Sequence, residues 1–462
     1  MEFLRRHKVF FAIFVLAFAV RIIYLVFALG AHEGKLHETI SGADCYFVIS
    51  ENILQGNGYS CKTEPPYTLN SIRPPVQPYF LVALYSVAGT YWFALLVQIA
   101  FSSMVPLIGM YVARYLTPNP NVIVGVGLLL ALEPSGILFS MLFYGETLFT
   151  VAVLGSIACV CAYIKKGSLP LFATAGFLLG LATLTKPTTQ YLPLVIVLLL
   201  AWHFRKTLRT FALHAAIFLL VFMATLSPWV YRNYQHFGVV GVSPQLGEQL
   251  YAVLVPSVLS FENGTTFAQE FERILANGGT DPSSASVENG TKYFKMAVPM
   301  LLAHPFGLVV ISANTALNFF IHDGMIEVLK HLEIRPKERL GQPALFLLLT
   351  DPGRLFGYIG HVFFTPLVWI LVGRIVWVAI TVLAFFGLAR YLWRESTKIY
   401  ATLFASIVLY FMLTTLVIGL AVTARYRIPI NALIFIFALY ELVGIVTVLY
   451  RRGVREAWKQ CL

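Results

Sequence analysis

The sequence predicts an all-α polytopic membrane protein of about 10–12 transmembrane helices, with juxtamembrane helices on the outer face in its first loop. Composition is the first reason. Only 12% of the 462 residues are charged, 58% are hydrophobic, and the mean hydropathy is +0.77. A soluble domain carries roughly 25% charged residues, so a soluble enzyme, a disordered chain and a fibrous repeat are excluded. The second reason is the placing of the cations. A net charge of +11 comes in short bursts between apolar runs: Arg5, Arg6 and Lys8; Lys165 and Lys166; Arg205, Lys206 and Arg209; Arg390, Arg394 and Lys398; Arg451, Arg452, Arg455 and Lys459. That is the positive-inside pattern of a multispanning chain. It leaves no contiguous basic face for nucleic acid.

The elements follow in order. Residues 9–30 form the first span, preceded by a basic cluster and followed by no small-residue cleavage site, so the amino terminus is expected in the cytoplasm. Residues 31–78 form the first outside loop. Apolar runs at 90–113, 121–140, 146–164, 168–184, 188–203 and 210–229 bring the chain outside at Pro228. Within them Gly176 and Gly180 form a small-xxx-small pair suited to close helix packing. Residues 231–298 are a long polar outside stretch, and 375–393, 399–421 and 428–450 are three further spans. The runs 299–321 and 356–373 fit two readings, as two more spans or as helices on the outer interface. The segment between them has five basic and five acidic residues, so charge does not decide. The expected organisation is an N-terminal transmembrane catalytic module (1–230), an extracytoplasmic subdomain (231–374) and C-terminal spans with a cytoplasmic tail (375–462).

The residues able to carry chemistry gather near the outer ends of spans. Residues 42–60 read as a short surface helix ending at Gly56 and Gly58, with Asp44 at its first turn. A carboxylate there is stabilised by the helix dipole, and it serves equally as a plain N-cap. Glu51, two turns on, competes as a base; Glu64 lies in a Pro-rich turn. Arg73 precedes a Pro pair that opens a second surface helix over 71–89. Glu146, Lys186, Arg232, Arg425 and Arg427 each sit at an outer mouth. Topology disfavours outer cations, and ionisable groups near bilayer depth mark functional sites. A ring of Arg and Lys suits a phosphate. A carboxylate beside it suits group transfer from that phosphate: the carboxylate takes the acceptor's proton and the cations stabilise the leaving anion. Ten His show no ligand spacing, so no metal site and no cofactor are expected. Cys45 and Cys61 share the first loop, where an oxidising compartment permits a bridge. Cys159 and Cys161 are read as packing residues. A transporter or flippase is the rival class, and it should show paired halves with broken spans in matching positions.

These segments carry a family resemblance. Asp44, Tyr46 and Gly56-x-Gly58-Tyr59, then Arg73-Pro74-Pro75 with Pro78, the outer Glu146, Leu184-Thr185-Lys186-Pro187, Pro228-Trp229-x-x-Arg232-Asn233 with Phe237-Gly238, and Arg425-Tyr426-Arg427-x-Pro429 occur in one order. The order resembles the GT-C superfamily of integral membrane glycosyltransferases, closest to the branch of protein O-mannosyltransferases and the lipid A aminoarabinose transferase. The resemblance implies a polyprenyl-phosphate sugar donor and transfer with inversion to a glycan, lipid or protein acceptor. It also implies a site on the extracytoplasmic face, as in a bacterial inner membrane facing the periplasm. Asp44 matches the family's first-loop base. Arg73, Lys186, Arg232, Arg425 and Arg427 match positions that meet the lipid phosphate, and Glu146 is expected to position the acceptor. Two departures stand out: Cys45 follows Asp44 where many relatives have a second acid, and Gly145 precedes Glu146 where many have Ser. Metal-dependent oligosaccharide-transferring relatives carry paired acids one residue apart, and no such pair lies near Asp44 or Glu146.

Overall fold

A computed structural model describes residues 2–42, 44–276, 286–334, 347, 351–396 and 398–461, with side chains from residue 8 to residue 450. Among them every regular element is helical. Arg5, Arg6, the C-terminal basic cluster, and residues 335–346 and 348–350 of the ambiguous segment lie outside these side-chain or backbone limits.

The chain opens with α1 (Glu2–Ala31). The first loop holds α2 (Leu36–Ile40), α3 (Tyr46–Leu54) and α4 (Val76–Ala88). Then come α5 (Tyr91–Leu116), α6 (Pro120–Leu132), α7 (Pro134–Leu138), α8 (Glu146–Lys166), α9 (Leu169–Thr183), α10 (Leu192–His203) and α11 (Leu208–Phe237). The middle region contains α12 (Gln245–Gln249), α13 (Val255–Asn263), α14 (Phe267–Ala276), α15 (Val287–Ala303), α16 (Pro305–Ile321), α17 (Met325–His331) and α18 (Pro352–Phe363). The chain ends with α19 (Val368–Arg394), α20 (Ile399–Thr415) and α21 (Asn431–Cys461).

Among the described residues seven helices are long and apolar enough to cross a membrane, and the bent α15–α16 pair would make eight. The chain is an integral, multi-pass membrane protein. The expected tally of about 10–12 includes runs that fold as shorter apolar helices. The run 121–140 is cut at Glu133-Pro134, because the residue before a proline avoids helical φ/ψ and Glu133 instead caps α7, accepting from Ser135 and Gly136 N–H. The run 168–184 is the 15-residue α9 and 188–203 the 12-residue α10.

The ambiguous stretches resolve by their contacts. The α15–α16 pair bends by 105° at His304-Pro305. Its start is tied to the first loop, with Val287 N–H donating to Ser71 Oγ at 2.8 Å. Its far end, at Phe319 and Phe320, accepts from Arg427. Both ends therefore sit at the end of the bundle that bears the first loop. The α17 helix returns there too: His331 joins Tyr24 Oη and the Thr39 carbonyl, each at 2.9 Å. The run 356–373 is divided between α18 and the start of α19 and is not a span of its own.

Inside a bilayer, helices gain little from expelling lipid, so packing and small residues hold the bundle. The α9–α11 seam shows this: a Cβ on Gly176 would lie 2.5 Å from the Phe218 carbonyl. Phe172 stacks between Tyr163 and Phe218 with centroids 4.3 and 4.4 Å away, each pair worth roughly 0.5–1.5 kcal/mol beyond area burial.

Candidate active site

Asp44 lies two residues before α3 and does not cap it; Cys45 stands at the cap without a side-chain bond. The carboxylate turns instead into an ionic cluster. Its Oδ1 accepts from Arg73 Nη2 at 2.8 Å, and its Oδ2 pairs with Arg425 Nη2. Arg425 Nε and Lys186 Nζ both reach Glu146 Oε1. Arg425 therefore bridges two carboxylates, and three cations face two anions. All five residues line one cavity of about 540 Å³.

Each member is held by local structure. Cys45 and Cys61 are bridged, which fixes the turn immediately after Asp44. Arg73 is anchored through its carbonyl, which accepts from Tyr59 Oη at 2.9 Å. Glu146 is the first residue of α8, where the helix dipole favours a carboxylate. Gly145 has a steric role: a Cβ there would lie 2.9 Å from Thr185 Cγ2, so the bare backbone lets the Thr185-Lys186 turn close on Glu146. Tyr46 Oη secures that turn from the other side by donating to the Thr185 carbonyl at 2.9 Å. Arg425 lies on a 3-10 turn over Ala424–Tyr426, with Ala424 N–H donating to His322 Nδ1 at 3.2 Å. Its guanidinium rests over the Tyr144 ring, 4.5 Å from the centroid.

The field of the cluster sets its protonation. Burial alone would push the Asp44 carboxyl up, but Arg425, Arg73 and Lys186 overcome it and hold the group well below the usual carboxylate range. Lys186 is pushed down to about 8, chiefly by burial and secondly by Arg425, against the pull of Glu146 and Asp44.

Two expected phosphate ligands stand apart. Arg427 is fully buried and turns away from the cavity. It donates to the carbonyls of Phe319, Phe320 and His322, each at 2.6 Å, and to Asn431 Oδ1 at 3.0 Å, with Trp377 stacked on it. Its assignment to the phosphate ring is corrected: Arg427 fastens the Arg425 loop to the end of α16. Arg232 donates to the Asn70 carbonyl at 3.0 Å and lies over Tyr59 and Trp229, bracing the first loop and not lining the cavity. Glu51 and Glu64 do not line it either.

Sequence reasoning missed several lining groups. Tyr410, Phe411, Leu413 and Ile418 give the cavity an apolar flank beside Lys186, where Tyr410 Oη donates to the Thr188 carbonyl at 2.6 Å. Gln245 and Gln249 give it an uncharged polar flank. Apolar residues at the end of a span look like any other span residue, and glutamines in a polar loop look like solvated ones. Among the described residues no group of three or more His, Cys, Asp or Glu is gathered as a metal site would be.

Residues 72–231 match the family model of the dolichyl-phosphate-mannose-protein mannosyltransferases. Among solved structures the chain is similar to the archaeal oligosaccharyltransferase AglB from Archaeoglobus fulgidus, solved with an inhibitory peptide and a dolichol-phosphate. The TM-score is 0.50 and the identity 14%, over 96% of this chain and 52% of that one. The apo Archaeoglobus fulgidus oligosaccharyltransferase gives a TM-score of 0.50 and 12% identity over the same shares, 96% and 52%. ArnT from Cupriavidus metallidurans, bound to undecaprenyl phosphate, gives 0.39 and 14% over 90% and 77%. No curated protein matches in sequence. The chain spans about half the length of the oligosaccharyltransferase, 52%. Residues 72–231 thus match the mannosyltransferase model, and the whole-chain fold is similar to that of the archaeal oligosaccharyltransferase.

Proposed function

We propose that the chain transfers a sugar from a polyprenyl-phosphate donor to an acceptor hydroxyl at the extracytoplasmic membrane face, with inversion at the anomeric carbon. The observation that carries this reading is the single cavity joining Asp44 and Glu146 to Arg73, Lys186 and Arg425 beside an apolar flank. A lipid phosphate needs cations for its head and an apolar surface for its first isoprene units. The dolichol-phosphate in the AglB structure supports that ligand class.

Asp44 accepts the proton of the acceptor hydroxyl as its oxygen attacks the anomeric carbon. The bond from that carbon to the phosphate oxygen breaks, and the electron pair leaves with the polyprenyl phosphate. Lys186, Arg425 and Arg73 stabilise the added negative charge. Glu146 aligns the acceptor. A leaving phosphate needs no second carboxylic acid, unlike glycoside hydrolysis. The outer orientation is supported by the Cys45–Cys61 bridge, which suits an oxidising compartment, and by the basic cluster 205–209 on the other side of α11.

The test compares wild type with Asp44→Asn, in nanodiscs, for both donor binding and transfer. The variant keeps the carboxylate's shape and loses its basicity, so transfer should fall by roughly 10²–10⁴ while the protein still binds donor. Asp44→Glu should recover little, because the extra methylene displaces the base by about an ångström. Wild-type transfer by Asp44→Asn refutes Asp44 as the base.

A further inference from the structure

The charged floor and the apolar flank leave one part of the cavity unexplained. The flank on the Arg73 side is built by Ser243 and α12, and it carries no cation. Ser243 Oγ donates to the Ile72 carbonyl at 2.8 Å, which joins this loop to the strand of backbone bearing Arg73. Gly247 is buried, and a Cβ there would lie 2.0 Å from the Gly290 carbonyl, so α12 rests backbone to backbone on α15. Residues four apart share a helix face; Gln245 and Gln249 are such a pair, and both line the cavity. Glu248, between them in sequence, does not line the cavity, and its Oε2 is shielded from solvent. An isoprene chain makes no use of amides, and the phosphate is already met by Arg73, Lys186 and Arg425 on the charged floor. The flank therefore suits neither part of a bare lipid phosphate. Each amide both donates and accepts. That inventory complements hydroxyl groups, each a donor and an acceptor at one atom.

We infer that Gln245 and Gln249 form a subsite for a polyhydroxylated sugar ring beside the phosphate site, and that they select which ring is accepted. The inference rests on the transfer reaction proposed above. The ring belongs to the donor's sugar or to a glycan acceptor, and the experiment separates the two.

Wild type, Gln245→Met, Gln249→Met and the double variant are titrated in nanodiscs with three sets of probes. These are undecaprenyl phosphate, undecaprenyl phosphate bearing one mannose, glucose or arabinose, and a soluble neutral mannotriose. Methionine keeps the side-chain length and removes the hydrogen bonds, and thermal stability is recorded for all. Wild type should bind a sugar-bearing probe, and each Gln→Met change should weaken that binding about 5-fold, the loss of one neutral hydrogen bond. Affinity for undecaprenyl phosphate should not change. A loss confined to the glycosylated lipid assigns the ring to the donor, and a loss confined to mannotriose assigns it to the acceptor; both support the subsite. Variants that bind every probe like wild type, or that lose undecaprenyl phosphate as strongly as the glycosylated lipid, overturn it. A wild type that ignores undecaprenyl phosphate overturns the transfer reaction itself, and the subsite with it.

Discussion

Lys186 gives the proposed phosphate site a pH signature. Burial, with Arg425 next in size, lowers its ammonium to about 8 from an ordinary 10.5. In the ligand-free protein about nine-tenths of Lys186 is charged at pH 7 and about one-tenth at pH 9. An incoming phosphate restores the proton, so the dissociation constant should grow as the charged fraction falls. The expected weakening is about 10-fold between pH 7 and pH 9, within the ~10–150-fold attributed to one charge-assisted contact. A phosphate monoester has its second pKa near about 6, so the ligand does not titrate in this window. Unfolding is distinguishable by sign. The unfolded chain holds the Lys186 proton between about 8 and 10.5 while the folded chain releases it, so this group adds stability as pH rises through that window. The assay is a titration of undecaprenyl phosphate into nanodisc-held protein at half-unit steps from pH 6.5 to 9.5, for wild type and Lys186→Arg. Wild type should weaken above pH 8, while the guanidinium, which does not titrate here, should give a flat profile. A flat wild-type profile, or the same alkaline fall in Lys186→Arg, refutes Lys186 as a phosphate contact.

Two further outcomes test the scaffold. Arg427→Met should destabilise the protein by about 3–5 kcal/mol, because it strips the donor from three buried carbonyls; thermal melting should show the loss while the folded fraction still binds undecaprenyl phosphate, and a variant with normal melting but lost binding would return Arg427 to the phosphate site. Replacing both Cys45 and Cys61 by Ala opens a loop of 16 residues, for which chain entropy assigns about 3 kcal/mol; melting under reductant should shift wild type to the level of the double variant, and unchanged melting would show that the loop is held without the bridge.

Most of the bundle was legible because lipid imposes one rule, that a spanning backbone satisfies itself within an apolar helix. The rule reads length and composition, and it faltered where a proline cut an apolar run: Pro134 ends α6 early, and a 105° bend at Pro305 breaks 287–321. Asp44, Glu146, Lys186 and Arg425 were each visible as charges at the mouths of apolar runs, yet 381 residues separate Asp44 from Arg425, so their meeting belongs to the tertiary structure. Arg427 was misread for a local reason. Arg425 and Arg427 are two positions apart on 3-10 turns, where about three residues complete a turn, so the two guanidinium groups leave the chain in different directions. The glutamines of α12 were invisible because their place at the cavity depends on Gly247 pressing that helix onto α15.

The bridging position of Arg425 gives the proposed site a way to keep its base in reserve. A carboxylate held ionised by three neighbouring cations is a poor proton acceptor, and Asp44 is in that condition. Its pairing also consumes the positive charge that a phosphate would seek. In the proposed reaction the donor and Asp44 compete for Arg425, which among the described residues pairs with both Asp44 and Glu146. A lipid phosphate that takes part of the Arg425 and Lys186 field leaves Asp44 more basic at the moment an acceptor hydroxyl needs to lose its proton. In the proposed reaction the empty site holds a masked base, and donor binding unmasks it. The same exchange gives the leaving phosphate its cations before the bond breaks, so no side chain has to travel during transfer.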